Sequence, residues 1–199
     1  MSPADEALLI ERLKRRDERA FNEIVRLYEA KVFGLVYKML GSRGEAEDVA
    51  QEVFITVFKA IDQFRGESKF STWLYRIATN HCKNRRKLLA RRMEHAREQL
   101  DEATERSHAA AMSKATSTTL GRPDEIVEGF EAERLLHEAI GLLDEEQREL
   151  LVLRDIEGLS YQEIVEITAQ PEGTVKSRLH RARIAIKEHL ERAARPRKK

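Results

Sequence analysis

Residues 160–183 read SYQEIVEITAQPEGTVKSRLHRAR and decide the fold of the second half of this 199-residue chain. Ser160 and Glu163 have the spacing of a capping box, which predicts a helix start at this point. Pro171 ends that helix, because proline restricts the residue before it and lacks a backbone N–H. A second helix is predicted from about Glu172, with apolar residues at helical spacing: Val175, Leu179, Ala182, Ile186 and Leu190. The pattern is a helix-turn-helix.

The outer face of the second helix is polar and basic. Its side chains are suited to neutralising phosphates and to hydrogen bonding with base edges in a major groove. They are Thr174, Lys176, Ser177, Arg178, His180 and Arg181. A purely structural helical hairpin is the alternative, because short amphipathic helix pairs also meet this pattern by chance. The basic face favours DNA binding.

Charge is segregated along the chain although the net charge is only +1. Residues 124–166 hold 14 acidic residues against three arginines, a net charge of −11. Residues 172–199 carry +7 and residues 81–97 carry +6. Charged residues make up 36% of the chain and aromatic residues 6%, which is typical of helices with extensive solvated faces. Two basic segments in a nearly neutral chain indicate local binding of a polyanion.

The apolar pattern predicts an all-α protein of two small helical domains joined by a flexible linker. The first domain is placed at residues 1–95, the linker at 96–124, the second domain at 125–195 and a basic tail at 196–199. We predict helix starts at four places: Ser2-Pro3, the Ser42-x-x-Glu45 box, Ser71 or Thr72, and Asp144. The linker is rich in small and polar residues and would reach ~100 Å when extended.

Residues 64–80, FRGESKFSTWLYRIATN, set aromatic side chains beside cations and amides. This mixture suits strand separation, because an extruded base needs a flat stacking partner and polar groups for its edges. The candidate residues here and in the basic run that follows are Lys69, Phe70, Ser71, Thr72, Trp73, Arg76, Asn80, Lys83, Asn84, Arg85 and Arg86. Two alternatives stay open: Phe70 and Trp73 could be core residues, and the basic run could be a solvated face.

The sequence gives no support for an enzyme, a metal site or a cofactor. It contains no HExxH, Walker or GxSxG motif, and its six histidines are scattered. Cys82 is the only cysteine, which excludes an intrachain disulfide and favours a reducing compartment. An inert, partly buried thiol is the simpler interpretation of Cys82, with a redox switch as the alternative. The acidic N-terminus is unlike a signal peptide, and no apolar run is long enough to span a bilayer. A cytoplasmic protein without a membrane segment is therefore expected.

Three stretches together resemble the bacterial sigma factors of the extracytoplasmic-function (ECF) group, within the sigma-70 family. They are EAEDVAQEVF at residues 45–54, the block at 64–80, and the segment from LDEEQRE at 143–149 to EGTVKSRLHRAR at 172–183. The resemblance implies a dissociable specificity subunit of RNA polymerase. Its first domain would open the minus-ten promoter element and its second domain would read the minus-thirty-five element.

The resemblance also implies roles for individual residues. Asp48, Gln51 and Glu52 would dock on the clamp of the largest polymerase subunit, although on sequence alone they could be solvated surface groups. Residues 66–71 would form the pocket for a flipped base. Asn80 would face the upstream edge of the opened DNA. The basic run would hold phosphates, and the second domain would contact the flap of the second largest subunit and promoter DNA. An anti-sigma partner is implied as well.

The helix-turn-helix turn departs from the family pattern. Ala169 stands where the family usually has glycine, and Gln170 where it usually has an apolar residue. Alanine in a left-handed conformation costs about 1 kcal/mol, so the turn is expected to differ in detail.

The main alternative function is a helix-turn-helix regulator that acts without joining the polymerase. It would leave the blocks at 45–54 and 64–80 without a role. Association with core polymerase separates the two possibilities.

Overall fold

The computed structural model describes residues 3–104 and 127–194, and the side chains within 4–97 and 134–193. All regular structure in these two ranges is helical. The first half contains α1 (Pro3–Lys14), α2 (Glu18–Leu40), α3 (Arg43–Ala60), a short 3-10 turn (Ile61–Gln63) and α4 (Phe70–Thr104). The second half contains α5 (Val127–Leu142), α6 (Glu145–Leu151), a π-helical turn (Val152–Ile156), α7 (Tyr161–Thr168) and α8 (Glu172–Ala194). The predicted all-α fold is confirmed.

Helix α3 begins where the sequence predicted, but its predicted capping box is wrong. Ser42 is the N-cap residue and its side chain makes no capping hydrogen bond. Glu45, which would complete the box, pairs with the Arg85 guanidinium instead. Gly41 ends α2 just before this turn in the left-handed conformation, at a φ of 76°, which glycine adopts without strain.

Helix α4 starts earlier and ends later than predicted. It begins at Phe70, and the Trp73 N–H already bonds to the Lys69 carbonyl at 3.2 Å, so neither Ser71 nor Thr72 is the cap. It continues to Thr104, past the predicted boundary at residue 95, because residues 91–104 contain strong helix formers and neither glycine nor proline. The rest of the predicted linker, from residue 105 to 124, lies outside the described residues, as does the basic tail.

The second half starts its helices as the sequence predicts. The Asp144 carboxylate accepts the Gln147 N–H at 2.7 Å and caps α6. Ser160 and Glu163 make both bonds of the capping box, at 3.2 and 2.8 Å. The single helix predicted after Asp144 is instead two segments, because the chain widens into the π-helical turn after α6.

The buried apolar side chains form one contiguous cluster that runs from the first domain into the second. The α2–α3–α4 bundle supplies the first part of this core, and α8 packed on α5 and α6 supplies the second. Helix α7 packs against α4, and α2 contacts α5, α6 and the π-helical turn. The two domains are therefore in direct contact. Among the described residues, no helix is long and apolar enough to cross a membrane.

Candidate nucleic-acid interface

An open cavity of about 800 Å3 lies between the 62–68 loop and one face of α4. Trp73, Arg76 and Asn80 form the α4 wall, at the i, i+3 and i+7 positions that share one helix face. The loop wall includes Asp62 and Gln63, which are not among the residues predicted from sequence. We refer to this space as the α4 cavity. It combines a flat aromatic surface with a cation and amides, which are the groups an extruded base requires.

Aromatic packing explains how Trp73 reaches the cavity. Its ring lies 5.4 Å from Phe64 and 5.8 Å from Phe70, centroid to centroid, and both partners are buried. Trp73 is half-buried, so it is both the edge of the core and a wall of the cavity. The two interpretations offered for Trp73 are compatible.

Two residues of the predicted DNA-binding set are buried. Phe70 is 2% exposed and packs edge-to-face on Tyr28, with ring centroids 5.5 Å apart. Thr72 is 2% exposed in the first turn of α4. Both side chains face the core, so in this conformation neither can contact DNA. The prediction for these two side chains is corrected: they support the cavity from behind. Ser71 is half-buried, and Lys69 is exposed.

The residues of the basic run after Asn80 differ in exposure and in their contacts. Asn84 is exposed. The Lys83 ammonium lies 2.9 Å from the Glu149 carboxylate of the second domain. One guanidinium nitrogen of Arg86 is buried and has no hydrogen-bond partner among the described residues. These cations therefore do not form a single solvated surface in this conformation.

Arg85 points at α3. Its guanidinium is hydrogen-bonded to Glu45, lies 2.6 Å from the Glu52 carboxylate, and lies 3.8 Å from Asp48. Its side chain is only 15% exposed. These contacts raise the pKa of Arg85, first through the hydrogen bond to Glu45. The prediction that Arg85 holds phosphates does not fit this placement, because three carboxylates already surround the guanidinium.

The three residues predicted to dock on the polymerase lie together on the exposed side of α3. Asp48, Gln51 and Glu52 are all exposed. Gln51 also borders an apolar groove of about 700 Å3 between α2 and α3. The groove is lined mainly by apolar and aromatic side chains, among them Phe21, Val25, Ala30, Phe33, Phe54 and Ile55. Phe21 and Val25 are partly buried, so they belong both to the edge of the core and to the wall of this groove.

The predicted reading face of α8 is exposed. Lys176, Ser177, His180 and Arg181 all face solvent, and Thr174 is half-buried. Lys176 pairs with Glu172 at 2.6 Å and lies over the Tyr161 ring, 5.2 Å from its centroid. The side chains a major groove would meet are thus available on one helix face.

Arg178 differs from the other residues of this set. It donates a hydrogen bond to the Gln170 side-chain carbonyl at 2.7 Å and pairs with Glu146 of α6 at 2.5 Å. Gln170 therefore substitutes a polar bond for the apolar contact expected in the turn. Ala169 adopts the left-handed conformation, with φ 55° and ψ 26°, so the expected strain is present. The turn nevertheless closes, because the Ala169 N–H bonds to the Val165 carbonyl at 2.8 Å.

A second apolar groove, of about 440 Å3, runs beside α8 on the second domain. Its apolar walls come from α5, the end of α6, the π-helical turn and α8: Leu136, Ile140, Leu151, Ile156, Ile186 and Leu190. Leu190 was assigned to the buried stripe of α8 by sequence, and the structure leaves it half-buried at the edge of this groove.

Cys82 is fully buried in α4. Burial, reinforced by the negative charge of Glu149, raises the pKa of its thiol to about 12. A thiol of that pKa carries little thiolate near neutrality, which favours the inert interpretation over a redox switch. Within residues 3–104 and 127–194, no group of three or more His, Cys, Asp or Glu side chains is arranged to hold a metal ion.

Comparison with known families and curated relatives agrees with this architecture. The family model for sigma-70 region 2 matches residues 24–104, and the model for sigma-70 region 4 matches residues 133–186. The chain is 40% identical over 185 residues to the RNA polymerase sigma-H factor of Pseudomonas aeruginosa, covering 92% of each chain. It is 38% identical over 179 residues to the ECF RNA polymerase sigma-E factor of Escherichia coli K12, covering 90% of this chain and 91% of the relative.

Two solved structures share the fold. CnrH, solved in complex with the cytosolic domain of CnrY, superposes with a TM-score of 0.64 at 21% identity, covering 92% of this chain and 96% of CnrH. The sigma factor RpoE of Bartonella quintana, solved with the anti-sigma factor NepR, gives a TM-score of 0.58 at 22% identity, covering 86% and 96%. With both family regions present in order and about 40% identity to curated relatives over nine-tenths of its length, the chain belongs to the sigma-70 family, in its extracytoplasmic-function group.

Proposed function

We propose that this protein is a specificity subunit of bacterial RNA polymerase that recognises promoters and starts transcription. One observation carries the proposal: a single chain combines an open cavity beside Trp73, Arg76 and Asn80 with an exposed, basic helix-turn-helix face. The first suits melted DNA and the second suits intact duplex. The names of the relatives, RNA polymerase sigma-H factor and ECF sigma-E factor, support the same role.

In the first domain, the α4 cavity would hold a base turned out of the minus-ten element. Trp73 offers the stacking surface, while Asn80, Arg76 and the polar loop residues offer donors and acceptors for its edges. The aromatic cluster of Phe64 and Phe70 fixes Trp73 from behind. A rigid surface of this kind lowers the ordering cost of base capture.

In the second domain, α8 would lie in the major groove of the minus-thirty-five element. Lys176, Ser177, His180 and Arg181 would reach phosphates and base edges. Arg178 contacts Gln170 and Glu146. These contacts would let it fix the orientation of α8 or bind a phosphate at the edge of the groove.

The polymerase would be held at two places. The exposed Asp48, Gln51 and Glu52 beside the α2/α3 groove would meet the clamp of the largest subunit, with the apolar groove adding buried area to the charged contacts. The groove beside α8 would receive an apolar segment of the flap of the second largest subunit. An anti-sigma factor would compete for these surfaces, as the partner of the Bartonella protein suggests.

The protein would work in the cytoplasm beside the polymerase, as a binding subunit with no catalytic centre of its own. All bond formation would belong to the core enzyme. A helix-turn-helix regulator acting without polymerase stays the alternative, and it leaves the α3 acids and the α4 cavity without a role.

Reconstitution tests the proposal. Sigma-free core polymerase, mixed with this chain and a library of random promoter fragments, is expected to yield transcripts with defined start sites. Gln51→Ala with Glu52→Ala should weaken association with core, while the exposed Glu166→Ala on α7 serves as the charge-changing control. Failure of the wild-type chain to bind core or to select any start site would refute the proposal and favour the regulator.

A further inference from the structure

Arg16 lies between α1 and α2 in the left-handed backbone conformation, with a φ of 61°. Its N–H bonds to the Leu13 carbonyl at 2.9 Å. The next N–H, of Asp17, bonds to the Arg12 carbonyl at 3.2 Å, which completes a Schellman motif at the end of α1. This position favours glycine, because a residue without a Cβ adopts the conformation without strain. Strain persists where surrounding contacts fix the residue, so it points to a role for the arginine side chain.

The Arg16 side chain reaches the end of α3 and the 3-10 turn that follows. Its guanidinium donates one hydrogen bond to the Phe58 carbonyl and another to the Asp62 carboxylate, the latter at 2.5 Å. The same group lies over the Phe58 ring, 5.2 Å from its centroid. Phe58 is in the last turn of α3, where carbonyls lack partners within the helix. Arg16 therefore connects the start of α2 to the 3-10 turn.

Asp62 belongs to the loop wall of the α4 cavity. The inner side of this wall is fixed by Ile61, which is fully buried, and by Phe64, whose ring centroid lies 5.4 Å from that of Trp73. The outer side depends on Arg16, because the Asp62 side chain is 58% exposed. In the part of the chain that the structure describes, its carboxylate has no other hydrogen bond or ion pair.

Each acidic residue that lines the α4 cavity has an arginine close to it. Asp62 pairs with Arg16, and the Glu67 carboxylate lies 4.0 Å from the Arg65 guanidinium. Arg76, on the α4 wall, makes no hydrogen bond or ion pair through its guanidinium among the described residues. Without Arg16, the Asp62 carboxylate would be an uncompensated negative charge in the same cavity. Arg16 therefore keeps the cavity favourable to a polyanion and leaves Arg76 available to it.

We propose that Arg16 is a positioning residue of the α4 cavity, which fixes and neutralises Asp62 so that the cavity accepts an extruded base and its phosphate. The inference rests on the proposed function, since that function brings opened DNA to the cavity. Arg16 does not line the cavity itself and acts through Asp62. It also precedes residue 24, where the match to sigma-70 region 2 begins.

Arg16→Gly separates positioning from stability. Glycine relieves the backbone strain while loss of an exposed ion pair opposes that gain, so Tm should stay within about 3 °C of wild type. The amides of residues 61–65 should exchange with deuterium about threefold faster or more in the free chain, measured by mass spectrometry, and those of α2 should not change. Arg15→Ala, which removes an exposed positive charge one residue away, should alter neither quantity. Equal exchange at residues 61–65 in Arg16→Gly and wild type would overturn the proposal.

A larger fall in Tm would transfer the exchange measurement to Asp62→Asn. This variant breaks the same ion pair from an exposed side chain and leaves the Schellman motif intact. Its amides at residues 61–65 should also exchange faster than those of wild type, and unchanged exchange would overturn the proposal.

Promoter opening gives the functional measurement. The probe is a promoter fragment that wild-type holoenzyme selects from the random library, followed by permanganate reactivity. Arg16→Gly should slow opening by about two- to fivefold, the range for one exposed ion pair, and leave upstream protection unchanged. In a chain that already carries Asp62→Asn, Arg16→Gly should leave the rate nearly unchanged, because the charge that it would uncover is absent. An equal loss in both backgrounds would show that Arg16 acts without Asp62 and would overturn the proposal.

The outcomes separate this inference from the proposed function. A wild-type chain that directs no initiation would refute the proposed function, while faster exchange in Arg16→Gly would still show that Arg16 fixes the cavity wall. A wild-type chain that initiates normally, together with an Arg16→Gly chain that opens the same promoters at the same rate, would refute the positioning role alone.

Discussion

Replacing Arg85 with alanine tests whether this side chain is a structural cation or a phosphate ligand. The guanidinium makes charge-assisted hydrogen bonds to Glu45 and Glu52 and lies 3.8 Å from Asp48. Each such bond is worth about 1.5–3 kcal/mol in a protected site, and less where the partner is exposed. Glu52 is 47% exposed, so its bond is discounted heavily. We expect a loss of about 2 kcal/mol in the free energy of unfolding.

Thermal unfolding followed by circular dichroism measures that loss. For a chain of this size, about 2 kcal/mol corresponds to a fall of about 4–8 °C in Tm. Core polymerase binding should weaken too, because Asp48 and Glu52 lose the group that orients them. Lys87→Ala, an exposed position on the same helix, is the control for loss of one positive charge. An Arg85→Ala chain with unchanged Tm and core affinity but a shallower salt dependence of DNA binding would refute the structural role and restore the phosphate role.

Three further predictions concern the turn, the division of roles between the domains, and the acid dependence of stability. Ala169→Gly should stabilise the second domain by about 1 kcal/mol, raising Tm by about 2–4 °C, because glycine adopts the left-handed conformation without strain; an unchanged or lower Tm would contradict this. Arg181→Ala should weaken binding to the minus-thirty-five element by ~1–3 kcal/mol, measured by footprinting. Asn80→Ala should instead slow promoter opening, measured by permanganate reactivity, and leave the upstream protection intact. Identical defects in the two variants would contradict the division of roles. Lys69 and Ser160 hold the pKa of Glu163 at about 2, below the ordinary 4.5, so the stability that this carboxylate contributes is complete above pH 4.5 and is lost as the pH falls towards 2. Glu163→Gln should lower the free energy of unfolding at neutral pH and flatten its acid dependence, measured by urea titration. An unaltered pH slope would rule the effect out.

Family membership and helix content could be predicted from sequence because they depend on local signals. The Ser160–Glu163 box, the Pro171 break and the left-handed strain at Ala169 were all deduced from residue type and spacing, and all are present. Local rules led to the wrong result where a distant partner intervened. Glu45 has capping-box spacing, but Arg85, forty residues away, takes its carboxylate.

The candidate site was predictable in outline only. Trp73, Arg76 and Asn80 lie at helical spacing, which is enough to place them on one face of α4. The sequence left Phe70 open between the core and DNA contact, and it did not predict the burial of Thr72, because both depend on which side of α4 packs against α2 and α3.

By itself the sequence determined that this chain is helical, that it carries a helix-turn-helix, and where its aromatic and charged residues lie. These are set by periodicity, caps and charge, which are properties of neighbours along the chain. Only the tertiary structure decided which cations remain free. Lys69 and Lys83 meet carboxylates of the second domain, and Arg85 meets those of α3, through contacts between residues 33 to 94 positions apart. Such pairings depend on how helices pack, which no local pattern encodes.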